Sequence, residues 1–241
     1  MGETEAAIDL FKSYAERHPE VIEAHNYIID GERYLQRTDS VMHYTAKAIE
    51  HHPDNIDLYM RRGYYWSEQG FVDKAISDYN LAIKHSPTDS VRSVVLGTIG
   101  DLYHQLGDTK KAFRYYRKAL KKFENNVAVL NNYAYYLCEM GGDLDKAYEM
   151  SKRACDLEPS NATYLDTKGW ILYRQGRYEE AKPIIFQAVS LDASGSTELM
   201  MHYGDVLHAL GEDFMAGVYW RRALAAGHDA EEVAERLKLI E

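Results

Sequence analysis

A ladder of small residues recurs along this chain at steps of 34 to 37 residues, and it limits the fold more than any other feature of the sequence. Its clearest copy runs from Ile56 to Asp89, where Gly63, Gly70, Ala75, Tyr79, Ala82 and Pro87 form the skeleton. The glycine returns as Gly70, Gly107, Gly141, Gly176 and Gly211. Two alanines accompany each one, as Ala75/Ala82, Ala112/Ala119, Ala147/Ala154, Ala181/Ala188 and Ala216/Ala223. Ile56 to Glu68 and Asp73 to His85 both carry apolar residues at helical spacing, and Gly70 between them can take the left-handed backbone that ends a helix. Each unit is therefore a helix hairpin. Gly63, Ala75 and Ala82 lack bulk, so the two helices can approach closely while Tyr59, Trp66 and Tyr79 fill the space beside the contact. Pro87 stops the second helix.

These residues give the chain its resemblance to a known family. Tyr59, Arg62-Gly63, Trp66, Ala75, Tyr79, Ala82 and Pro87 stand where tetratricopeptide repeats have Trp, Leu-Gly, Tyr, Ala, Phe, Ala and Pro, and Arg62 is the departure. The resemblance implies an all-α fold, a right-handed α-solenoid of tetratricopeptide-type helix hairpins. Units in such an array contact only their neighbours, so residues 1–241 are expected to form a single solenoid.

Taken in order, residues 3–19 match only the second helix of a repeat, with Ala7, Phe11, Tyr14 and Pro19 in its Ala, aromatic, small and Pro positions. A truncated start is the expectation. Six full units follow, at 21–55, 56–89, 93–126, 127–161, 162–195 and 197–230, before a capping helix over 231–241. The first of them is the most divergent, with Arg37-Thr38-Asp39 in place of the turn glycine. Three extra residues around Asp89 to Arg92 are expected to lengthen a loop, and Glu124 replaces a terminal proline. The fourth unit places Ala134 in the Gly63 slot, and Pro183 falls in the first turns of a second helix. Asp229 and Glu232 form a capping-box pattern for the last helix, whose Val233, Leu237 and Ile240 share one face.

Composition narrows the function. A net charge of −10 argues against nucleic acid as partner, because neutralising phosphates needs a basic footprint. No apolar run reaches the roughly 18 residues of a spanning helix. Cys138 and Cys155 offer neither a disulfide framework nor metal spacing and read as small, buried or half-buried thiols.

The fifth, ninth and twelfth positions of each first helix make one stripe, which the family resemblance places on the concave surface. It reads Met60, Tyr64, Ser67; Gly97, Asp101, His104; Asn131, Tyr135, Cys138; Asp166, Trp170, Tyr173; and Met201, Asp205, His208. It holds no Lys or Arg. The family's carboxylate clamp uses groove lysines, arginines and asparagines, and only Asn131 would suit it. Tyr64, Tyr135, Trp170 and Tyr173, interleaved with Asp101, Asp166 and Asp205, instead describe an aromatic groove with negative charge. For any one of these aromatics the alternative reading is a half-buried packing residue.

Asp-x-x-His occurs at Asp101/His104 and Asp205/His208, but each pair offers two ligands and the pairs lie three repeats apart. No phosphate loop, nucleophile elbow or HExxH is present, so neither enzyme activity, metal nor cofactor is expected. Lys110, Lys111, Arg114, Arg117, Lys118, Lys121 and Lys122 crowd the helix from Asp108 to Phe123. Their plain reading is a solvated face. Their functional reading is a dock for an acidic partner or an anionic membrane surface.

Two functions remain open. One is an interaction scaffold that binds a peptide or helical segment of a partner, basic and with an apolar anchor, in the groove. The other is a structural arm or oligomerisation module of a larger protein, self-associating through open solenoid ends. The run DTKGWILYRQGRYEEA resembles bacterial members of the family, some of them envelope proteins, so cytoplasmic and periplasmic settings both stay open.

Overall fold

The structure, a computed structural model, describes residues 2–240. Their regular elements are 14 α-helices and no strands. In order these are α1 (Gly2–Arg17), α2 (Ile22–Tyr34), α3 (Thr38–His51), α4 (Ile56–Glu68), α5 (Val72–His85), α6 (Asp89–Gln105) and α7 (Thr109–Lys122). There follow α8 (Val127–Glu139), α9 (Leu144–Leu157), α10 (Ala162–Arg174), α11 (Tyr178–Leu191), α12 (Thr197–Ala209), α13 (Asp213–Ala225) and α14 (Ala230–Leu237).

The helices group into two compact units, one ending at Glu124 and the other starting at Asn125. In the first, α1 packs on α2, and the hairpins α2/α3, α4/α5 and α6/α7 stack through α3 on α4 and α5 on α6. In the second, hairpins α8/α9, α10/α11 and α12/α13 stack through α9 on α10 and α11 on α12, with α14 closing against α13.

In four hairpins the contact pairs an empty position on one helix with a large residue on the other. A Cβ built on Gly63 would lie 2.6 Å from the Tyr79 ring, one on Gly100 2.5 Å from Tyr116, one on Gly169 2.2 Å from Ile185, and one on Gly204 2.4 Å from Trp220. The large residues therefore do not sit beside a close backbone contact, as the sequence suggests. They fill the volume that the glycine leaves. The alanines of the second helices are fully buried beneath them. In α2/α3 the sizes reverse: Ile29 holds the glycine slot and Thr45 the aromatic slot, and both are buried.

Each turn ends in the same two hydrogen bonds. Gly70 N–H donates to Ser67 O (2.9 Å) and Phe71 N–H to Trp66 O (2.8 Å), with φ of Gly70 at 78°. In the divergent unit the left-handed residue is Gln36, φ 58°, one residue before the Arg37-Thr38-Asp39 that the sequence points to. Gln36 N–H to Arg33 O (2.9 Å) and Arg37 N–H to Glu32 O (3.0 Å) reproduce the motif without a glycine.

Other local expectations shift as well. The three extra residues near Asp89 are helical, because Thr88 caps Val91 N–H and lets α6 begin at Asp89 with 17 residues. In α1 the buried rungs are Ile8 and Ala15, one residue later than Ala7 and Tyr14, since Gly31 leaves room for the bulkier Ile8. Arg62, the departure from the family's leucine, makes a bidentate pair with buried Asp78 at 2.7 and 2.6 Å. α11 runs unbroken through Pro183. Asp229 accepts from the N–H groups of Glu231 and Glu232, but the Glu232 carboxylate turns to His228 and Arg236, so only half of the capping box forms. Val233 is fully buried and Leu237 and Ile240 pack on the same core. Cys138 and Cys155 are buried and burial pushes both thiols up to about 11, which leaves them protonated and inert.

Candidate functional site

In the second unit α10 lies between α8 and α12 and touches both, so side chains of these three first helices share a face. Trp170 of α10 is the common member of two stacks. Tyr173 lies 4.8 Å away at 14° and His202 of α12 lies 4.0 Å away at 15°. The indole Nε1–H donates to Glu139 of α8 at 2.8 Å, and Arg174 reaches the same oxygen at 3.0 Å. Tyr135 of α8 donates its hydroxyl to Glu198 of α12 at 2.9 Å, which ties the outer two helices together. Burial and the Glu198 carboxylate raise the phenol, so the proton stays on Tyr135.

His202 is 7% exposed and its Nδ1 lies 3.0 Å from Asp166. Burial alone would lower its affinity for a proton. The Asp166 carboxylate, with Glu198 and Asp205, outweighs that and raises it, which favours the imidazolium facing the carboxylate. Asp205 is 8% exposed and accepts from Trp220 Nε1 at 3.0 Å and Arg236 Nε at 2.7 Å. His208 turns to Asp213 at 2.7 Å and does not join Asp205. Asn131 is 5% exposed, too buried to greet a ligand.

The first unit holds the rest of the sequence-derived stripe. Tyr64 is 54% exposed and lines a depression of about 260 Å³ with Met60, Tyr65, Arg33 and Arg61. Two arginines thus stand beside a stripe that contains none. Asp101 accepts the Tyr116 hydroxyl at 2.6 Å, just as Asp205 accepts the Trp220 indole, so both carboxylates satisfy the large residue seated on the preceding glycine. His104 lies half-buried one turn beyond Asp101 on α6. No group of three His, Cys, Asp or Glu among the described residues is arranged to hold a metal.

The three aspartates of the stripe are therefore engaged internally, and the exposed carboxylates of the face are Glu139 and Glu198. Sequence reasoning missed these two along with Arg174 and His202, because they lie beside the positions read as the stripe. The spacing Glu198, His202, Asp205 on one side of α12 was the available signal.

With hairpins, turns and glycine-filling side chains in place, comparison with known proteins is direct. The tetratricopeptide repeat profile matches residues 94–126, and a second tetratricopeptide repeat profile matches residues 162–194. The chain is a tetratricopeptide repeat protein. A TPR repeat-containing protein of Pseudomonas aeruginosa is 27% identical over 70% of this chain, which spans only 28% of that relative's length. A chain of the APC/C hetero-tetramer Cut9–Hcn1 superposes with a TM-score of 0.76 at 17% identity, covering 99% of this chain and 46% of that one. The C-terminal part of a TPR repeat-containing protein from Cytophaga hutchinsonii gives 0.67 at 16% identity, covering 98% and 95%. These likenesses establish the tetratricopeptide fold, which is in general a scaffold for protein–protein interaction.

Proposed function

We propose that the α8–α10–α12 face captures a segment of a partner protein that carries lysine or arginine next to an apolar side chain. The observation that carries this reading is the arrangement of half-buried Tyr135, Trp170 and Tyr173 between the exposed carboxylates Glu139 and Glu198. Stacking on Tyr173 and His202 fixes Trp170, and the Asp166–His202 pair fixes His202, so little side-chain freedom is left to lose on binding. A ligand cation meets Glu198, which accepts the Tyr135 hydroxyl, and an apolar anchor meets the edges of the aromatic column. Electrostatics supplies direction and salt dependence, and the aromatics supply most of the affinity. The role is binding, without catalysis.

Selection from a random peptide library on the immobilised chain at moderate salt tests it. Enrichment of basic sequences with an aliphatic or aromatic anchor is expected. Enrichment of acidic C-termini would overturn it. Capture of no peptide, together with self-association of the chain, would favour the structural-arm reading.

A further inference from the structure

Helix α7 carries seven of the chain's 28 lysines and arginines in 14 residues and no acid. The helix dipole favours Lys121 and Lys122 in the last turn, but it disfavours Lys110 and Lys111 in the first. Cations three and four residues apart on one face also repel. Neighbouring acids neutralise part of the set: Lys111 pairs with Asp108 at 3.0 Å and Lys122 with Asp89 at 3.3 Å. Asp89 is shared with Arg92, so it brings less charge than the cations around it. Lys118 lies over the Tyr115 ring at 4.7 Å, and neither it nor Lys121 has a carboxylate within ion-pair distance among the described residues.

These lysines are not spread over a plain solvated surface. Lys118, Lys121 and Lys122 of α7 rim a cleft of about 450 Å³ whose other walls are Ile83 of α5 and Asp89 and Leu96 of α6. Leu96 is buried and Ile83 half-buried, so the interior is apolar and the rim cationic.

We propose that this cleft is a second docking site, on a different set of helices from the aromatic face and of opposite charge, and that it takes an acidic segment of a partner protein with an aliphatic side chain inserted between Ile83 and Leu96. Glutamate or aspartate on that segment would meet Lys118 and Lys121, which lack carboxylate partners among the described residues. A recessed apolar wall suits a protruding side chain and not the plane of a bilayer. Ile83 and Leu96 present no ring on which a nucleic-acid base could stack.

Fluorescence anisotropy of the full chain tests this with a labelled peptide of alternating glutamate and leucine, its glutamate–serine counterpart, phosphatidylserine vesicles and a single-stranded oligonucleotide. The leucine peptide should bind about tenfold or more tighter than the serine peptide, the difference expected from burying an aliphatic side chain. Lys118→Glu with Lys121→Glu, both exposed positions, should abolish that binding with the circular dichroism unchanged, and Tyr135→Ala should leave it intact. Equal binding of the two peptides, indifference to the lysine pair, preference for vesicles or oligonucleotide, or binding of no probe would each overturn the proposal.

Discussion

The ring of Tyr79 occupies the volume that a side chain at Gly63 would need, with its Cε1 2.6 Å from where a Cβ would stand. The same relationship joins Gly204 to Trp220, whose indole then reaches Asp205. The glycine is thus required by its partner and not by its backbone angles.

Gly63→Ala should destabilise the chain by about 1–3 kcal/mol through overpacking, even though alanine is the better helix former. In a Tyr79→Thr background, which imitates the Ile29/Thr45 pair, the same substitution should cost much less. Chemical denaturation of the four proteins measures the coupling. An equal cost in both backgrounds would show that Tyr79 does not fill that space.

Gln36 takes φ 58° where the other hairpin turns have glycine. A side chain in the left-handed region is strained by about 1 kcal/mol. Gln36→Gly should therefore raise the unfolding midpoint, less the entropy that glycine adds to the unfolded chain. A lower midpoint would mean that Gln36 holds the turn by a contact of its own.

How much of this was legible in the sequence depends on what each residue answers to. The hairpins, turn glycines and closing helix follow from local rules of spacing and backbone freedom, and Gly70, Gly107 and Gly211 were found that way. Arg62 looked like a mild departure because its reason, Asp78, lies on the neighbouring helix. Asp101 and Asp205 looked like groove charges because nothing local shows that Tyr116 and Trp220 would claim them. The site was legible as a stripe of residue types, but the pairing between helices that decides which carboxylates stay exposed was not.

His202 binds its proton more tightly in the folded chain than a free imidazole does, because Asp166, Glu198 and Asp205 face it. The stability it contributes is fully present below the unfolded value of 6.5 and is lost as pH rises through the raised folded value. Denaturation midpoints should accordingly fall from pH 6.5 upward. His202→Gln should flatten that slope, and Asp166→Asn should reduce it. A slope unchanged in His202→Gln would assign the pH dependence to other groups.

Arg236 brings α14 onto Asp205, which also accepts from the Trp220 indole. Arg236→Ala should cost on the order of 1–3 kcal/mol, since a nearly buried carboxylate loses its cation. Removing residues 231–241 should go further, exposing the core that Val233 covers and causing aggregation or loss of cooperativity. A deletion as soluble and stable as the parent would contradict the capping role.

The central claim, that the α8–α10–α12 face recognises a basic segment through aromatics and exposed carboxylates, is tested most directly by calorimetric titration of a library-selected peptide at low and moderate salt. Tyr135→Ala should abolish binding at both salt concentrations, whereas Glu198→Gln should weaken it mainly at low salt. Binding that is indifferent to Tyr135→Ala, or weakened by Glu198→Gln equally at both salt concentrations, would contradict it.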